Sequence, residues 1–227
     1  LAASSDLERA TSLTCTVDAT HAPIDTIGPR MPKLAEWRLS NSLIPSIRSL
    51  GTSLHNLAVL WLSRCGLAEL DGIGALPSLQ ELYIAFNDIS ELSPLTECAE
   101  LQVLDLEANA IVSRDAIEFL ALAPSLQELT LRGNPVCEDW HTVRADVRAI
   151  VPQLRTLDDE DWDGSEDGLG VLSSSPPASP SLCNAPDREL RFVTTAIKQA
   201  DVARVFDVAA DGRSIFGATR SATAPPG

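Results

Sequence analysis

An α/β solenoid is the fold class this sequence predicts, with short parallel strands on a concave face and 3-10 turns or short helices on the convex side. Three observations predict it. Aliphatic residues recur in one frame, with starts at Leu57, Leu79 and Leu101 spaced 22 residues apart and a fourth at Leu126 after 25. Three residues beyond the second aliphatic of each strand pair stands a small polar residue, at Ser42, Cys65, Asn87, Asn109 and Asn134. Apolar residues make up 44% of the 227 but aromatics only 4%, so the core must be aliphatic.

Taken in order, Leu13, Cys15 and Val17 alternate as a strand does, and Ile24 and Ile27 follow as a degenerate first turn. Residues 1–33 are therefore expected to form an N-terminal cap. A looser copy runs Leu34, Trp37, Leu39, Ser42, Ile44, Ile47, Leu50 and Leu54. The regular copies continue to Val136, so the repeats span 34–136. In the third, Ile117 and Leu120 come after a short insertion. Val143, Val147, Ile150 and Val151 have helical spacing, and Leu154 and Leu157 then read as extended, so 137–160 is expected to cap the other end.

This is the leucine-rich repeat pattern, and it predicts a right-handed horseshoe. The two aliphatics of each strand pair face one side, because side chains alternate along a strand. The Asn inside the turn offers a carbonyl and an NH2 to buried backbone groups. One repeat cannot bury its own leucines; stacking does so, at roughly 1.5–3 kcal/mol per buried leucine. Apolar residues spaced by three suit 3-10 turns on the way back.

Function in a solenoid resides on strand residues that point away from the core. One outward column reads Arg38, Trp61, Tyr83, Asp105, Thr130. Beside it run Ser40, Ser63, Ala85, Glu107, Arg132 and Asn41, Arg64, Phe86, Ala108, Gly133. Trp61 and Tyr83 are expected to be neighbours across strands, with Arg64 and Phe86 close by. Exposed aromatics with arginine, and acids one repeat further on, have the composition of a protein-binding hot spot. The expected protein-binding residues are Arg38, Trp61, Arg64, Tyr83, Phe86, Asp105 and Glu107; Asn87, Asn109 and Asn134 are the structural turn ladder.

Beyond Leu157 the composition changes. Seven acids fall within 158–167, followed by a Ser/Pro-rich stretch at 173–181, so 161–186 is expected to be a linker and the acidic run a solvated one. No pKa-raising environment is expected for acids such as Asp158 and Asp161. Asp187 and Glu189 suit a helix start, and Leu190, Val193 and Ile197 have helical spacing. Short amphipathic helices are expected over 187–209, docked on the solenoid or offered to a partner, with a disordered tail over 210–227.

The formal net charge of −15 opposes nucleic-acid binding. Five widely spaced cysteines without a CxxC pair read as free thiols in a reducing compartment. His21, His55 and His141 show no metal-ligand spacing. No apolar run approaches the ~20 residues of a membrane span. Phosphate-loop, HExxH and GxSxG motifs are absent from the sequence. The expectation is a protein-binding chain that is not an enzyme, needs no cofactor or metal and takes no small-molecule substrate. The first residue is Leu1, so the chain is expected to be a piece of a longer protein.

Three stretches are more specific than the repeat frame. They are 50–73, with Leu60, Trp61, Leu62 and Cys65, Gly66, Leu67; 81–93, with Leu82, Tyr83, Ile84 and Phe86, Asn87; and 101–107, with Leu104, Asp105, Leu106. Together they closely resemble the leucine-rich repeat-containing protein 56 family, of the 22-residue, SDS22-like repeat class. Residues 147–158 resemble the cap motif of that class. The likeness runs from about 13 to 157 and resumes weakly over 190–198; it departs at Ala108, where the family tends to have Gly. The resemblance implies a non-enzymatic factor of motile cilia and flagella, acting in outer dynein arm assembly and associated with intraflagellar transport. It implies dynein-arm components or the transport machinery as partners, and the cytoplasm and cilium as its location. Two alternatives are a structural, dynein-associated repeat subunit of the axoneme and a regulatory subunit of an enzyme such as a phosphatase.

Overall fold

The computed structural model describes residues 7–161. The linker beyond 161, the amphipathic helices at 187–209 and the tail at 210–227 lie outside the described residues. The repeats form one open sheet whose eight strands lie side by side in sequence order. They are β1 (Ser12–Thr14), β2 (Glu36–Arg38), β3 (Val59–Trp61), β4 (Glu81–Tyr83), β5 (Val103–Asp105), β6 (Glu128–Thr130), β7 (Thr156–Leu157) and β8 (Glu160–Asp161). β1 to β7 are parallel; β8 folds back antiparallel on β7. The fold is the leucine-rich repeat solenoid predicted from the spacing.

The return side is built from 3-10 turns at Ile47–Leu50, Ile73–Ala75, Ser93–Glu97, Phe119–Leu122 and Pro135–Asp139. Their apolar residues lie three apart, which matches three residues per turn and puts them on one inward edge. The three-residue insertion of the third regular copy adds a short helix, α2 (Arg114–Glu118), whose Ser113 side chain accepts the Asp115 N–H. A four-residue α1 (Ile27–Arg30) lies in the N-terminal turn, where Ile24 and Ile27 are buried.

Strand pairing keeps a constant register, so equivalent residues stack from copy to copy. Leu60, Leu82, Leu104 and Leu129 share one row, and Leu62, Ile84, Leu106 and Leu131 the next; all are buried. Trp37 takes the equivalent inward place in β2 and is fully buried. Each row is shared by adjacent copies, so stability accumulates between neighbours.

The turn ladder knits the copies together. Asn87 Oδ1 accepts the N–H groups of Cys65 and Leu67, and its Nδ2 donates to the carbonyls of Leu62 and Ile84. Asn109 accepts from Ile89 and donates to Ile84 and Leu106; Asn134 accepts from Ile111 and donates to Leu106 and Leu131. Each amide therefore bridges its own turn to the preceding one. Ser42 keeps only the acceptor half, taking the Val17 N–H at 3.0 Å. Cys65 keeps only a donor, its thiol reaching the Leu39 carbonyl at 3.2 Å.

The residue before each ladder position is left-handed: Asn41, Arg64, Phe86, Ala108 and Gly133 have φ of 62°, 58°, 57°, 51° and 77°. This explains the departure at Ala108. The position suits glycine, and alanine occupies it at a local backbone cost.

The far end is closed by α3 (Trp140–Ile150), which buries Val143 and Val147, and by the β7–β8 hairpin. The hairpin's two-residue loop is Asp158 and Asp159, with φ of 53° and 65°. Both central residues at positive φ match the twist of a tight hairpin, and Asp tolerates that conformation better than most residues. Here the structure corrects the expectation of a solvated run at Asp158 alone; Asp159 and Glu160 are exposed as expected. Asp158 Oδ1 accepts the N–H groups of Leu131 (2.7 Å) and Arg132 (3.0 Å); in earlier copies the N–H at the Leu131 position donates to the next strand, as Leu106 does to Thr130. Asp159 pairs with Arg132, and Glu160 with Arg144. Burial raises the Asp158 carboxyl above its usual range, opposed by those two N–H groups, contrary to the expectation for this acid.

Candidate protein-docking face

The outward side of the sheet carries two columns within the strands. The first, missed by the sequence reading, is Glu36, Val59, Glu81, Val103, Glu128. The second is the predicted one, Arg38, Trp61, Tyr83, Asp105, Thr130, aligned residue against residue. Strict alternation implied the first column as well, since it lies two residues earlier on the same face.

Alignment on neighbouring strands forces Trp61 and Tyr83 together. Their rings stack with centroids 3.7 Å apart and planes 10° from parallel. The Arg38 guanidinium lies over the Trp61 ring at 4.6 Å from its centroid. Arg38 comes from β2 and Tyr83 from β4, so both faces of the indole are covered and only its edge is presented. The stack is braced from the first column: Arg38 Nε donates to Glu36 at 2.6 Å, and the Tyr83 hydroxyl donates to Glu81 at 2.8 Å. The Trp61 Nε1–H finds no acceptor among the described residues.

This packing corrects the picture of an exposed cluster. Tyr83 is only 5% exposed and Asp105 only 2%, because adjacent copies cover them; Trp61 is half-buried. Phe86 is likewise part-exposed, at the rim, with the exposed Arg64 over its ring at 4.3 Å.

Toward the C-terminal end the face turns acidic. Asp105 Oδ1 accepts the Glu107 N–H at 3.0 Å. Arg132 bridges Glu107 (3.2 Å) and Asp159 (2.9 Å). Burial drives the Asp105 carboxyl up to about 6. The Glu107 N–H and the Arg132 guanidinium oppose the rise, while the Glu107 and Asp159 charges add to it.

Burial also pushes the thiols of Cys15, Cys65 and Cys137 to about 11 and that of Cys98 to about 12, so these cysteines are packing groups and poor nucleophiles. Among the described residues, no group of three His, Cys, Asp or Glu side chains is placed to hold a metal ion. No described helix is long and apolar enough to cross a membrane. A polar cleft of about 520 Å³ lies on the return side, between Arg48, Asp71, Ser93 and Glu97.

Comparison with known proteins places these features. Human leucine-rich repeat-containing protein 56 is 40% identical over 193 residues, covering 80% of this chain and 34% of the relative. The chain thus spans about a third of the length of that relative. Human cilia- and flagella-associated protein 410 is 31% identical over 145 residues, covering 63% of the chain and 54% of that protein. A leucine-rich repeat protein of Leptospira interrogans superposes with a TM-score of 0.50 at 22% identity, over 58% of this chain and 33% of the other, a likeness of fold alone. No family model matches the chain.

Proposed function

Because this chain is a homologue of leucine-rich repeat-containing protein 56 across four fifths of its length, we propose that it is a non-enzymatic adaptor of motile cilia and flagella. In this reading it helps assemble axonemal dynein arms or deliver them by intraflagellar transport. Its likeness to a second relative named for cilia and flagella supports the location. The observation that carries the docking role is the braced stack of Arg38, Trp61 and Tyr83. Rings already locked by their neighbours lose little freedom when a partner arrives, so binding wastes less free energy on ordering them.

The test is rescue of outer dynein arms in flagellated cells lacking the protein. The wild-type sequence is expected to restore arms. Trp61→Ala with Tyr83→Ala is expected to fold, by circular dichroism, and to leave arms missing. Truncating a central aromatic at a true hot spot costs roughly 2 kcal/mol or more of binding. Normal arms in cells lacking the protein would remove the ciliary role; full rescue by the double variant would remove this face.

A further inference from the structure

The left-handed rung of the repeat carries information beyond the strand columns. Its backbone suits glycine, as Gly133 at φ 77° illustrates. Two successive rungs instead hold long side chains, Arg64 and Phe86, at φ of 58° and 57°. Each stands in a conformation that side-chain-bearing residues disfavour. Their backbones are fixed, since Arg64 N–H donates to the Ala85 carbonyl and Phe86 N–H to that of Glu107. Asn41, exposed one copy earlier, is held likewise by the Ser63 carbonyl. The three side chains thus form a rim row whose members sit about 4.8 Å apart, one per strand.

Charge makes the row unusual. The chain holds 32 acids against 17 Lys and Arg. The other arginines of this face are neutralised in place, Arg38 by Glu36 and Arg132 by Glu107 and Asp159. Arg64 is exposed and makes no ion pair among the described residues; its guanidinium carbon lies over the Phe86 ring, 4.3 Å from the centroid. With no carboxylate beside it, the guanidinium keeps its donors for a partner. A planar fork held in this way matches the two oxygens of a carboxylate.

Resting on the docking role above, we propose that Asn41, Arg64 and Phe86 form a receptor for a partner segment that presents an Asp or Glu carboxylate beside an apolar side chain. The carboxylate takes the Arg64 fork in a bidentate pair. The apolar neighbour lies on the exposed part of Phe86, and the Asn41 amide meets the segment's backbone. A single carboxylate suits this site better than an acidic run, which the net charge of −15 would repel.

The test uses nuclear magnetic resonance on the 227-residue chain, following the Arg64 Nε–H and the amides of Asn41 and Phe86. The probes are N-acetylated, C-amidated leucyl-glutamyl-leucine and its glutamine and phosphoserine counterparts. The glutamate peptide is expected to shift these signals, and the glutamine peptide to bind about tenfold more weakly. Arg64→Lys, which keeps the charge but not the fork, is expected to lose about tenfold as well. Arg155→Gln, which removes an exposed charge elsewhere, is expected to change little. Equal binding of the glutamine peptide, full binding by Arg64→Lys or a clear preference for phosphoserine would each overturn the assignment. A silent rim alongside arm rescue that still needs Trp61 and Tyr83 would remove this receptor alone, not the docking role.

Discussion

Replacing Asp105 by Asn should stabilise the protein at neutral pH, and the gain should shrink in acid. The carboxyl is 2% exposed, and burial lifts it from 3.8 to about 6. The folded state therefore binds this proton more tightly than the unfolded chain. That contribution to stability is fully present below about pH 4 and lost as pH rises through about 6. A shift of two units corresponds to about 3 kcal/mol at pH 7.5, and to about half of that loss at pH 5, where most folded molecules still carry the proton. Asn keeps an oxygen for the Glu107 N–H while removing the charge. Glu81, Tyr83, Glu107, Glu128, Arg132 and Asp159 face this position, and the charges of Glu107, Arg132 and Asp159 are part of what sets the rise. Urea unfolding followed by circular dichroism at pH 5 and 7.5 avoids the isoelectric point near 4.5. The advantage of Asp105→Asn is expected to be about 1 kcal/mol larger at pH 7.5. A variant less stable than wild type at pH 7.5, or an advantage that does not depend on pH, would refute the reasoning.

Asn109→Ala strands the Ile89 N–H and takes one of two amide donors from each of the Ile84 and Leu106 carbonyls, which keep Asn87 and Asn134; urea unfolding should show a loss of about 2 kcal/mol. Ser42→Ala breaks only the bond from Val17, and the same assay should show about 1 kcal/mol. Ala108→Gly relieves a left-handed alanine at φ 51° and should gain about 0.5 kcal/mol, seen as a raised Tm, because relief of strain exceeds the added freedom of the unfolded chain. Iodoacetamide at pH 8, read by mass spectrometry, should leave Cys65 and Cys98 of the folded protein unmodified and alkylate both once urea is added; ready labelling in the native state would contradict their burial.

The inward rows were legible because they are a local regularity: Leu60, Leu82, Leu104 and Leu129 recur in a frame that only stacking satisfies. Asn87, Asn109 and Asn134 were legible for the same reason. The outward column was placed correctly, but its exposure was not readable. Whether Tyr83 or Asp105 sees water depends on what the strands on either side raise beside it, which spacing along one strand does not encode. The first column was available from alternation at Glu36, Val59 and Glu81 and went unused. Asp158 and Asp159 fell within the expected cap, but their hairpin was not readable, because a tight hairpin and a linker share the same polar residues. Asp158 takes its structural role from the N–H groups of Leu131 and Arg132, and Asp159 from its ion pair with Arg132.

The reversed direction of β8 has a consequence for growth of the coil. A parallel stack invites one more layer of its own kind, as a spiral staircase accepts another step. Here the last described step runs backwards, and Asp158 takes the Leu131 N–H that a further parallel layer would use. A second molecule arriving at that end meets a strand of the wrong polarity. Among the described residues β8 thus closes this edge of the sheet, and joining of copies end to end through it is disfavoured.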